Sequence, residues 1–260
     1  MGKVKSQHSM LRRSGSSIGA LMVREMSSNY GKAPGGYIWA ILEPVAGIAL
    51  MTILFSFVFR SPPLGAHFAL FYASGVLPFS CYRDISSKIG KSISFSTKLL
   101  SYPAVTLVDA ILARLVLNVL TQCLVAILVL GGIFLFSDVQ TVVNFRWIFL
   151  AFLSVFSVSL GIGVMNTWLF NRFPVWEQIW NIFNRPMFLL SSVFYLFEST
   201  PEPFRSFLWF NPLVHSVGLM RRGLYPTYEG SFVSLTYVFG VSLVLTAFGL
   251  AMLKGHQIDT

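Results

Sequence analysis

Two stretches of this chain, residues 147–170 and 232–253, run for more than twenty residues without a charged side chain. An apolar run of about 18 residues or more is typical of a helix that spans a lipid bilayer. Strands of a membrane barrel would alternate apolar and polar residues, and these stretches do not. Because only helices and closed barrels satisfy their backbone hydrogen bonds in lipid, the sequence predicts an all-α integral membrane protein.

Further apolar blocks raise the predicted number of transmembrane helices to six. The composition agrees, since 55% of the residues are hydrophobic and 11% are charged, whereas a soluble domain is about 25% charged. The third block exceeds the length of one straight span, so we interpret its start as an amphipathic helix that leads into a span from about Leu115. The predicted spans are 37–59, 68–82, 104–136, 147–170, 178–197 and 232–253; the predicted domains are a cytoplasmic N-terminal segment, 1–36, and a six-span transmembrane domain, 37–260.

Two segments outside the predicted spans also carry apolar residues. In the N-terminal segment, Ile18, Leu21, Met22 and Met26 recur at helical spacing, which predicts an amphipathic helix on the membrane surface. A Lys-Ala-Pro-Gly-Gly sequence at 32–36 is predicted to end it. The stretch between the fifth and sixth spans is aromatic and Pro-rich but too broken to span. Its middle, 204–224, is predicted to form short re-entrant helices that dip into the outer leaflet, covered by protein or water.

The formal net charge of +9 is explained by membrane topology. Lys and Arg residues collect in the loops that remain in the cytoplasm. With the N-terminus inside, the inner segments hold twelve Lys and Arg residues and the outer segments hold five. Both termini are therefore predicted to be cytoplasmic, and no nucleic acid is expected as a partner.

Motifs for nucleotide binding, catalysis and metal ligation are missing from the sequence. Gly90-Lys91-Ser92 resembles the end of a phosphate-binding loop, but position 85 is Ile where that loop needs Gly. The four histidines are scattered, and Cys81 and Cys123 lie in or beside apolar blocks. We therefore expect no catalytic residue, no metal and no cofactor on this chain. If ATP drives the protein, another chain binds it.

Ionisable side chains inside apolar blocks are candidates for function, because a charge in lipid is costly. Glu43 lies near the inner interface, where it either functions or simply reaches water or pairs with an Arg of the N-terminal helix. Arg185 lies deeper and must face protein or a water-filled path, which favours a functional or gating role. Asp109 and Arg114 are predicted to form a solvated face of the helix before the third span. The fourth span also carries small residues that favour close helix packing, namely Ser157, Gly161 and Gly163.

Three ordered groups of residues stand out between positions 24 and 225. The first is Arg24-Glu25, Tyr30, Gly36-Tyr37-Ile38-Trp39-Ala40 and Glu43-Pro44; the second is Leu99-Leu100-Ser101-Tyr102-Pro103, Val105, Asp109, Ala113 and Arg114. The third is Arg185-Pro186, Phe194-Tyr195, Pro201, Arg205, Asn211-Pro212-Leu213, His215, Arg222 and Tyr225. In this order they resemble the membrane subunits of ATP-binding-cassette exporters, the type-2 permeases. They are most similar to the branch that exports capsular polysaccharide.

This resemblance implies a permease in the bacterial inner membrane that works as a homodimer with two ATP-binding-cassette ATPase subunits. ATP and Mg would be bound by those ATPases, and the cargo would be a lipid-linked polysaccharide. Periplasmic and outer-membrane export proteins are further implied partners. The N-terminal helix resembles an interface helix resting on the ATPase, the loop 83–103 a coupling helix, and the start of the third block a gate helix. The implied coupling residues are Arg24, Glu25, Arg83, Lys88, Lys91 and Lys98, and the implied gate-helix residues are Asp109 and Arg114.

Aromatic and cationic residues are candidates for the substrate path that the resemblance implies. Sugar faces stack on aromatic rings, although each ring is equally explained as an interfacial anchor, and the arginines would attract an anionic glycan or phospholipid head. The candidates are Tyr37, Trp39, Tyr72, Tyr195 and Trp209, with Glu43, Arg185, Arg221 and Arg222. The family often carries Glu at the position of Gly218, so this chain departs from it there. Alternative cargoes are O-antigen, teichoic acid or a drug, and a membrane-embedded glycan enzyme is the alternative from another class.

Overall fold

The computed structural model describes residues 18–26, 38–58, 60–100 and 106–258, and no strand occurs among them. Helix α1 comprises residues 18–26. It is followed by α2 (Ile38–Val58), α3 (Phe68–Gly90), α4 (Ser92–Leu100), α5 (Leu107–Phe136), α6 (Phe145–Arg172) and α7 (Pro174–Leu190). A short 3-10 helix (Phe197–Ser199) precedes α8 (Phe204–Trp209), α9 (Pro212–Leu224) and α10 (Leu235–Ile258). The all-helical prediction is confirmed for the described residues.

Three of the described helices are long and apolar enough to cross a membrane. They are α5, α6 and residues Leu235–Gly255 of α10, and α2 contains a shorter apolar run, Leu42–Phe57. The chain is therefore a multi-pass helical membrane protein. Since α3 and α5 run in opposite directions, one end of the bundle holds α1, α4 and the start of α5, and we call it the α1 end. The opposite end, with the loops after α2 and α5, is the far end.

Helix α6 lies at the centre of the bundle, where it packs against α3, α9 and α10. Glycines make these contacts close. A Cβ atom at Gly161 would lie 2.8 Å from the Ser242 carbonyl oxygen of α10, and one at Gly163 would lie 2.7 Å from the Ile89 Cβ of α3. The predicted helix contact at Gly161 and Gly163 is confirmed.

Gly249→Ala is expected to destabilise the fold, whereas Gly240→Ala on the same helix is not. A Cβ at Gly249 would lie 2.7 Å from the backbone nitrogen of Met165, which cannot move without shifting α6, but no atom lies within 4 Å of a Cβ at Gly240. Overpacking of this kind costs about 1–3 kcal/mol, while Gly→Ala in an open helix position gains up to about 1 kcal/mol. Thermal unfolding of the two purified variants tests this, and equal midpoints would contradict the close α6–α10 contact.

Two predicted boundaries were wrong. The segment predicted as a polar loop, 83–103, is helical through residue 100, since α3 continues to Gly90 and α4 follows at Ser92. The polar residues of α3 bond to α5, so they are compatible with a helix. The predicted fifth span, 178–197, begins earlier and ends at Leu190, because Ser192 has a positive φ of 57° that breaks the helix. The stretch 204–224 forms two short helices, α8 and α9, as predicted; its depth in the membrane stays a prediction.

Candidate functional site

Polar side chains of α3 and α5 bond to one another in the α1 half of the bundle. Lys88 Nζ donates to Asn118 Oδ1 at 2.7 Å, and Gln122 Nε2 donates to Asp84 Oδ2 at 2.9 Å. The α5 residues Arg114, Asn118 and Gln122 are spaced four apart, so they lie on one face of the helix. We call these five residues the polar ladder. In an apolar environment such groups are stable only when they are paired, as here.

Arg114 joins four helices at the α1 end of the polar ladder. Its Nε lies 3.3 Å from Glu25 Oε2 of α1, and both side chains are about 95% buried, with 5% and 4% exposed. Its guanidinium also donates to the Lys88 carbonyl oxygen of α3 and lies 4.2 Å from the Phe95 ring centroid of α4. Helix α1 is thereby tied to α3, α4 and α5 through one side chain. The Arg24 guanidinium lies 5.5 Å from the same Phe95 ring.

The predicted solvated face formed by Asp109 and Arg114 is wrong. Asp109 is 5% exposed and Arg114 is 4% exposed. Asp109 forms a capping box at the start of α5, where its carboxylate accepts from the Thr106 backbone N–H at 3.1 Å. Such a box satisfies helix N–H groups that have no partner within the helix. Asp109 therefore fixes where α5 begins, and Arg114 is a buried link rather than a surface charge.

Two clefts of about 410 and 400 Å³ lie on either side of the Arg83–Asp84 pair. We call them the inner clefts. The first lies between α2, α3 and α5 and includes Glu43 and Gln122; the second lies between α3 and α7 and includes Arg185. Both clefts are lined by Arg83, Asp84, Lys88 and Phe188. The two inner clefts therefore share the same charged side chains in their walls.

The charges of the inner clefts are only partly neutralised by the protein. Arg83 reaches Asp84 at 3.2 Å and Glu43 at 3.7 Å, and the Glu43 side chain is 78% exposed. The carboxylate of Glu43 thus reaches water and lies near Arg83 of α3, rather than near an arginine of the N-terminal helix; a functional role for Glu43 stays a prediction. Arg185 is exposed on α7. With Arg83, Lys88 and Arg185 against Glu43 and Asp84, the inner clefts carry one excess positive charge, which suits an anionic group of a ligand.

Helix α7 has one polar face and one apolar face. Asn181, Asn184 and Arg185 line the second inner cleft, and the Tyr82 hydroxyl of α3 donates to Asn184 Oδ1 at 3.2 Å. All residues of α7 are described, and none of them is buried. The apolar face includes exposed Ile179, Ile182, Phe183 and Leu189. This helix therefore presents an apolar surface next to a cleft with polar walls.

Several predicted coupling residues already have partners within the chain. Lys91 Nζ lies 2.7 Å from Glu177 Oε1 of α7, and Lys88 bonds to Asn118 of the polar ladder. The side chain of Lys98 lies outside the described part of the structure. A role in coupling for these lysines, for Arg24, Glu25 and Arg83, and a gating role for Asp109 and Arg114, stay predictions.

Arg221 and Tyr72 are both buried within this chain, and their place on a substrate path stays a prediction. Arg221 is 1% exposed and its guanidinium donates to the carbonyl oxygens of Tyr195, Ser192 and Val193 at 2.8, 2.7 and 3.0 Å. Tyr72 is 1% exposed and packs among aromatic rings, including that of Phe194. Both side chains hold the core together at the far end of the bundle.

The remaining path candidates lie apart from one another. The Arg222 guanidinium covers the Trp147 ring at 3.8 Å, and Trp209 Nε1 donates to the Phe232 carbonyl oxygen at 3.1 Å. Tyr195 is half-buried at the far end, and Trp39 is exposed on α2, where it lines the first inner cleft. Tyr37 lies outside the described residues. Of the predicted path residues, the structure thus brings together Trp39, Glu43 and Arg185 around the inner clefts.

Sequence reasoning missed Asp84, Asn118 and Gln122 as site residues. Asp84 stood in a segment interpreted as a loop, and the two amides stood within an apolar block. The sequence did contain a pattern that indicates Asn118 and Gln122, since polar residues repeat every fourth position from Arg114 to Gln122 inside an otherwise apolar helix. The sequence does not identify the partner of each residue, because that partner lies on another helix.

The position of the family glutamate is filled by other side chains in this structure. A Cβ at Gly218 would lie 2.8 Å from Phe232 and 2.8 Å from Val233. A side chain at position 218 would therefore require the Phe232 and Val233 side chains to move. His215, one turn earlier, is enclosed by Trp209, Phe232 and Tyr237.

The apolar helices and the charged clefts between them define a helical membrane protein, and comparisons with known proteins give its family. Residues 16–225 match the family described as ABC-2 type transporter. The polysialic acid transport protein KpsM of Escherichia coli is 30% identical over 92% of this chain and 93% of that protein. The chain therefore belongs to the ABC-2 type transporter family.

Other relatives carry names from capsule export. The capsule polysaccharide export inner-membrane protein CtrC of Neisseria meningitidis serogroup A is 25% identical over 90% of this chain and 89% of the relative. The capsule polysaccharide export inner-membrane protein BexB of Haemophilus influenzae is 23% identical over 92% of this chain and 91% of the relative. The similarity therefore extends over nearly the whole length of each protein.

Proposed function

We propose that this chain is the membrane permease subunit of an ATP-driven exporter that moves lipid-linked capsular polysaccharide across the bacterial inner membrane. The observation that carries this proposal is the similarity to capsule polysaccharide export proteins along about nine-tenths of each chain. The subunit itself is not an enzyme. ATP and Mg are bound by two separate ATPase subunits, and the permease works as a homodimer with them. Periplasmic and outer-membrane export proteins receive the polymer.

The proposed topology has six spans, α2, α3, α5, α6, α7 and α10, with both termini cytoplasmic. The excess of Lys and Arg in the inner segments supports this orientation. Helices α8 and α9 are proposed to be re-entrant from the outer side. The α1 end of the bundle then lies toward the cytoplasm and the far end lies toward the periplasm.

Coupling to the ATPases is proposed to pass through α1 and the α3–α4 junction. The buried Glu25–Arg114 pair ties α1 to α5, and Arg114 contacts α3 and α4 as well. A movement of either cytoplasmic element is therefore transmitted to α5. Rigid packing of this kind lets a small displacement bias a larger rearrangement.

The substrate path is proposed to run along α2 and α7 between the two protomers. Both helices expose large apolar side chains, among them Ile38, Phe57 and Ile182, at 64%, 85% and 65% exposure. The inner clefts open beside these surfaces and carry excess positive charge. An amphipathic cargo fits this combination, with its anionic group in the inner clefts and its lipid against the apolar faces.

Arg185→Gln is expected to raise the substrate concentration needed for half-maximal export by about tenfold, since a hydrogen bond to a charged group contributes about 1.5–3 kcal/mol. Because Arg185 is exposed, its replacement leaves the fold intact. Initial rates of ATP-dependent export by membrane vesicles, measured against cargo concentration, give the value. Arg172→Gln, another exposed arginine at the end of α6, is the control. Equal effects of the two variants would contradict a role of the inner clefts in binding.

The location of the polymer in a strain lacking this gene tests the proposed function. We expect full-length polysaccharide trapped in the cytoplasm, and export restored by the wild-type gene. A normal capsule in the deletion strain contradicts the proposal and favours another amphipathic cargo. Loss of the polymer itself contradicts it in favour of a biosynthetic role.

A further inference from the structure

A third cleft lies at the far end of the bundle, away from the inner clefts. Its volume is about 730 Å³, within the range of pockets that hold small molecules. Three segments form it: the loop after α2, the loop between α5 and α6, and the residues after α9. The hydrogen-bonding residues in its lining are His67, Asp138, Gln140, Thr141, Tyr225 and Thr227. We call it the far-end cleft.

The walls of the far-end cleft are held in place by contacts between the three segments. His67 Nε2–H donates to the Asp138 carbonyl oxygen at 3.2 Å. Thr141 Oγ1 donates to the Leu224 carbonyl oxygen at 2.7 Å. Gly65 has a φ of 73°, and a Cβ there would lie 2.5 Å from the Tyr225 ring. Glycine is therefore required where the loop after α2 meets this ring.

Tyr225 supplies an aromatic surface to the far-end cleft. It is 6% exposed and belongs to the lining of the cleft. Its hydroxyl is itself buried, so the ring, and not the hydroxyl, is what Tyr225 offers to a ligand.

The chemistry of the far-end cleft differs from that of the inner clefts. No Lys or Arg is among the described residues that line it, and its one carboxylate is that of Asp138. Anionic headgroups and phosphates are therefore poor ligands. Amide, hydroxyl and imidazole groups beside Leu70, Val139 and a tyrosine ring suit a molecule with many hydroxyls and apolar C–H faces. Saccharides have this combination.

We infer that the far-end cleft is a saccharide-binding site, which holds sugar units of the polymer after they cross the membrane. This inference rests on the proposed function, because the far end faces the periplasm only in the proposed orientation. The cleft binds hydroxyl groups without charge pairing. The affinity is therefore weak enough for the polymer to continue into the periplasm. Binding of its sugar units still opposes movement of the polymer back across the membrane.

Binding of short oligosaccharides, cut from the surface polymer of the source strain and free of lipid, tests the inference. The full chain in lipid nanodiscs is titrated, and binding is followed by calorimetry. The double variant Gln140→Leu/Thr227→Val removes two exposed hydrogen-bonding side chains of the cleft. The control is Thr236→Val, which makes the second of these changes at an exposed position of α10 that lies outside the lining of the cleft and outside the proposed substrate path.

The cleft variant is expected to bind the oligosaccharides about tenfold more weakly, as the loss of two hydrogen bonds predicts, and the control to bind as the wild type does. Equal binding by both variants would overturn the inference. So would a wild-type protein that binds no oligosaccharide although polymer is trapped in the deletion strain; the proposed function then stands without this site. If the cleft variant binds the oligosaccharides normally but loses a chemical cross-link to a periplasmic protein, that result would overturn the inference as well.

Discussion

Glu25→Gln is expected to lower the free energy of unfolding by about 3 kcal/mol or more, because it leaves the Arg114 charge buried without its carboxylate. Both side chains are about 95% buried, so water cannot replace the lost partner. The midpoint of thermal unfolding in detergent micelles measures the loss. The control is Glu177→Gln, which breaks the exposed pair with Lys91, whose side chains are 39% and 44% exposed. That pair contributes about 0–1 kcal/mol.

The same substitution separates coupling from stability. If α1 transmits movement through Arg114, Glu25→Gln leaves ATP hydrolysis by the assembled exporter largely intact while export falls. Replacing both partners, as Glu25→Gln/Arg114→Met, removes the unpaired charge and is expected to recover stability but not export. Equal destabilisation by Glu25→Gln and Glu177→Gln would contradict the buried ion pair. Recovery of export in the double variant would contradict its role in coupling.

Arg221→Met is expected to destabilise the far end by about 3 kcal/mol or more, since three buried carbonyl oxygens lose their donor. Those of Ser192, Val193 and Tyr195 lie within 3.0 Å of the guanidinium. Arg221→Lys keeps the charge but not the planar fork of donors, so it recovers only part of the stability. Thermal unfolding and the yield of folded protein in membranes are the measurements.

The neighbouring arginine supplies the control for Arg221. Arg222 is half-buried and covers the Trp147 ring, a cation–π contact that contributes about 0.5–2 kcal/mol. Arg222→Met is therefore expected to cost clearly less than Arg221→Met. The reverse order would show that the carbonyl contacts of Arg221 do not hold the turn after α7.

The parts of the fold that lipid dictates were predictable from the sequence. The uncharged blocks 147–170 and 232–253 correspond to α6 and α10, and most ends of the blocks lie within about three residues of the helix ends. A charge-free run of this length has few alternatives to a membrane-spanning helix. The start of α5 also agrees, although its reason, the Thr106–Asp109 capping box, was not recognised. Polar helices are harder, since Arg83, Asp84 and Lys88 read as a loop until their partners on α2 and α5 are known.

The candidate site was predictable only in part for the same reason. A charge in an apolar block indicates a functional or structural role, but the sequence does not tell which neighbour neutralises it. Arg185 and Arg221 both have apolar residues nearby in the sequence, yet Arg185 is exposed beside a cleft and Arg221 is enclosed by carbonyl oxygens. The burial of Arg221 depends on the turn at Ser192, and no local sequence pattern predicts that turn.

Reconstitution of export from purified components tests the central claim most directly. The permease and its ATPase are inserted into vesicles together with lipid-linked polysaccharide, and polymer that becomes protected inside the vesicles is measured after ATP is added. We predict accumulation that requires ATP, both subunits and the lipid-linked form of the polymer. Accumulation without the ATPase, or none with all components while the ATPase hydrolyses ATP, would contradict the assignment of this chain as the permease for that cargo.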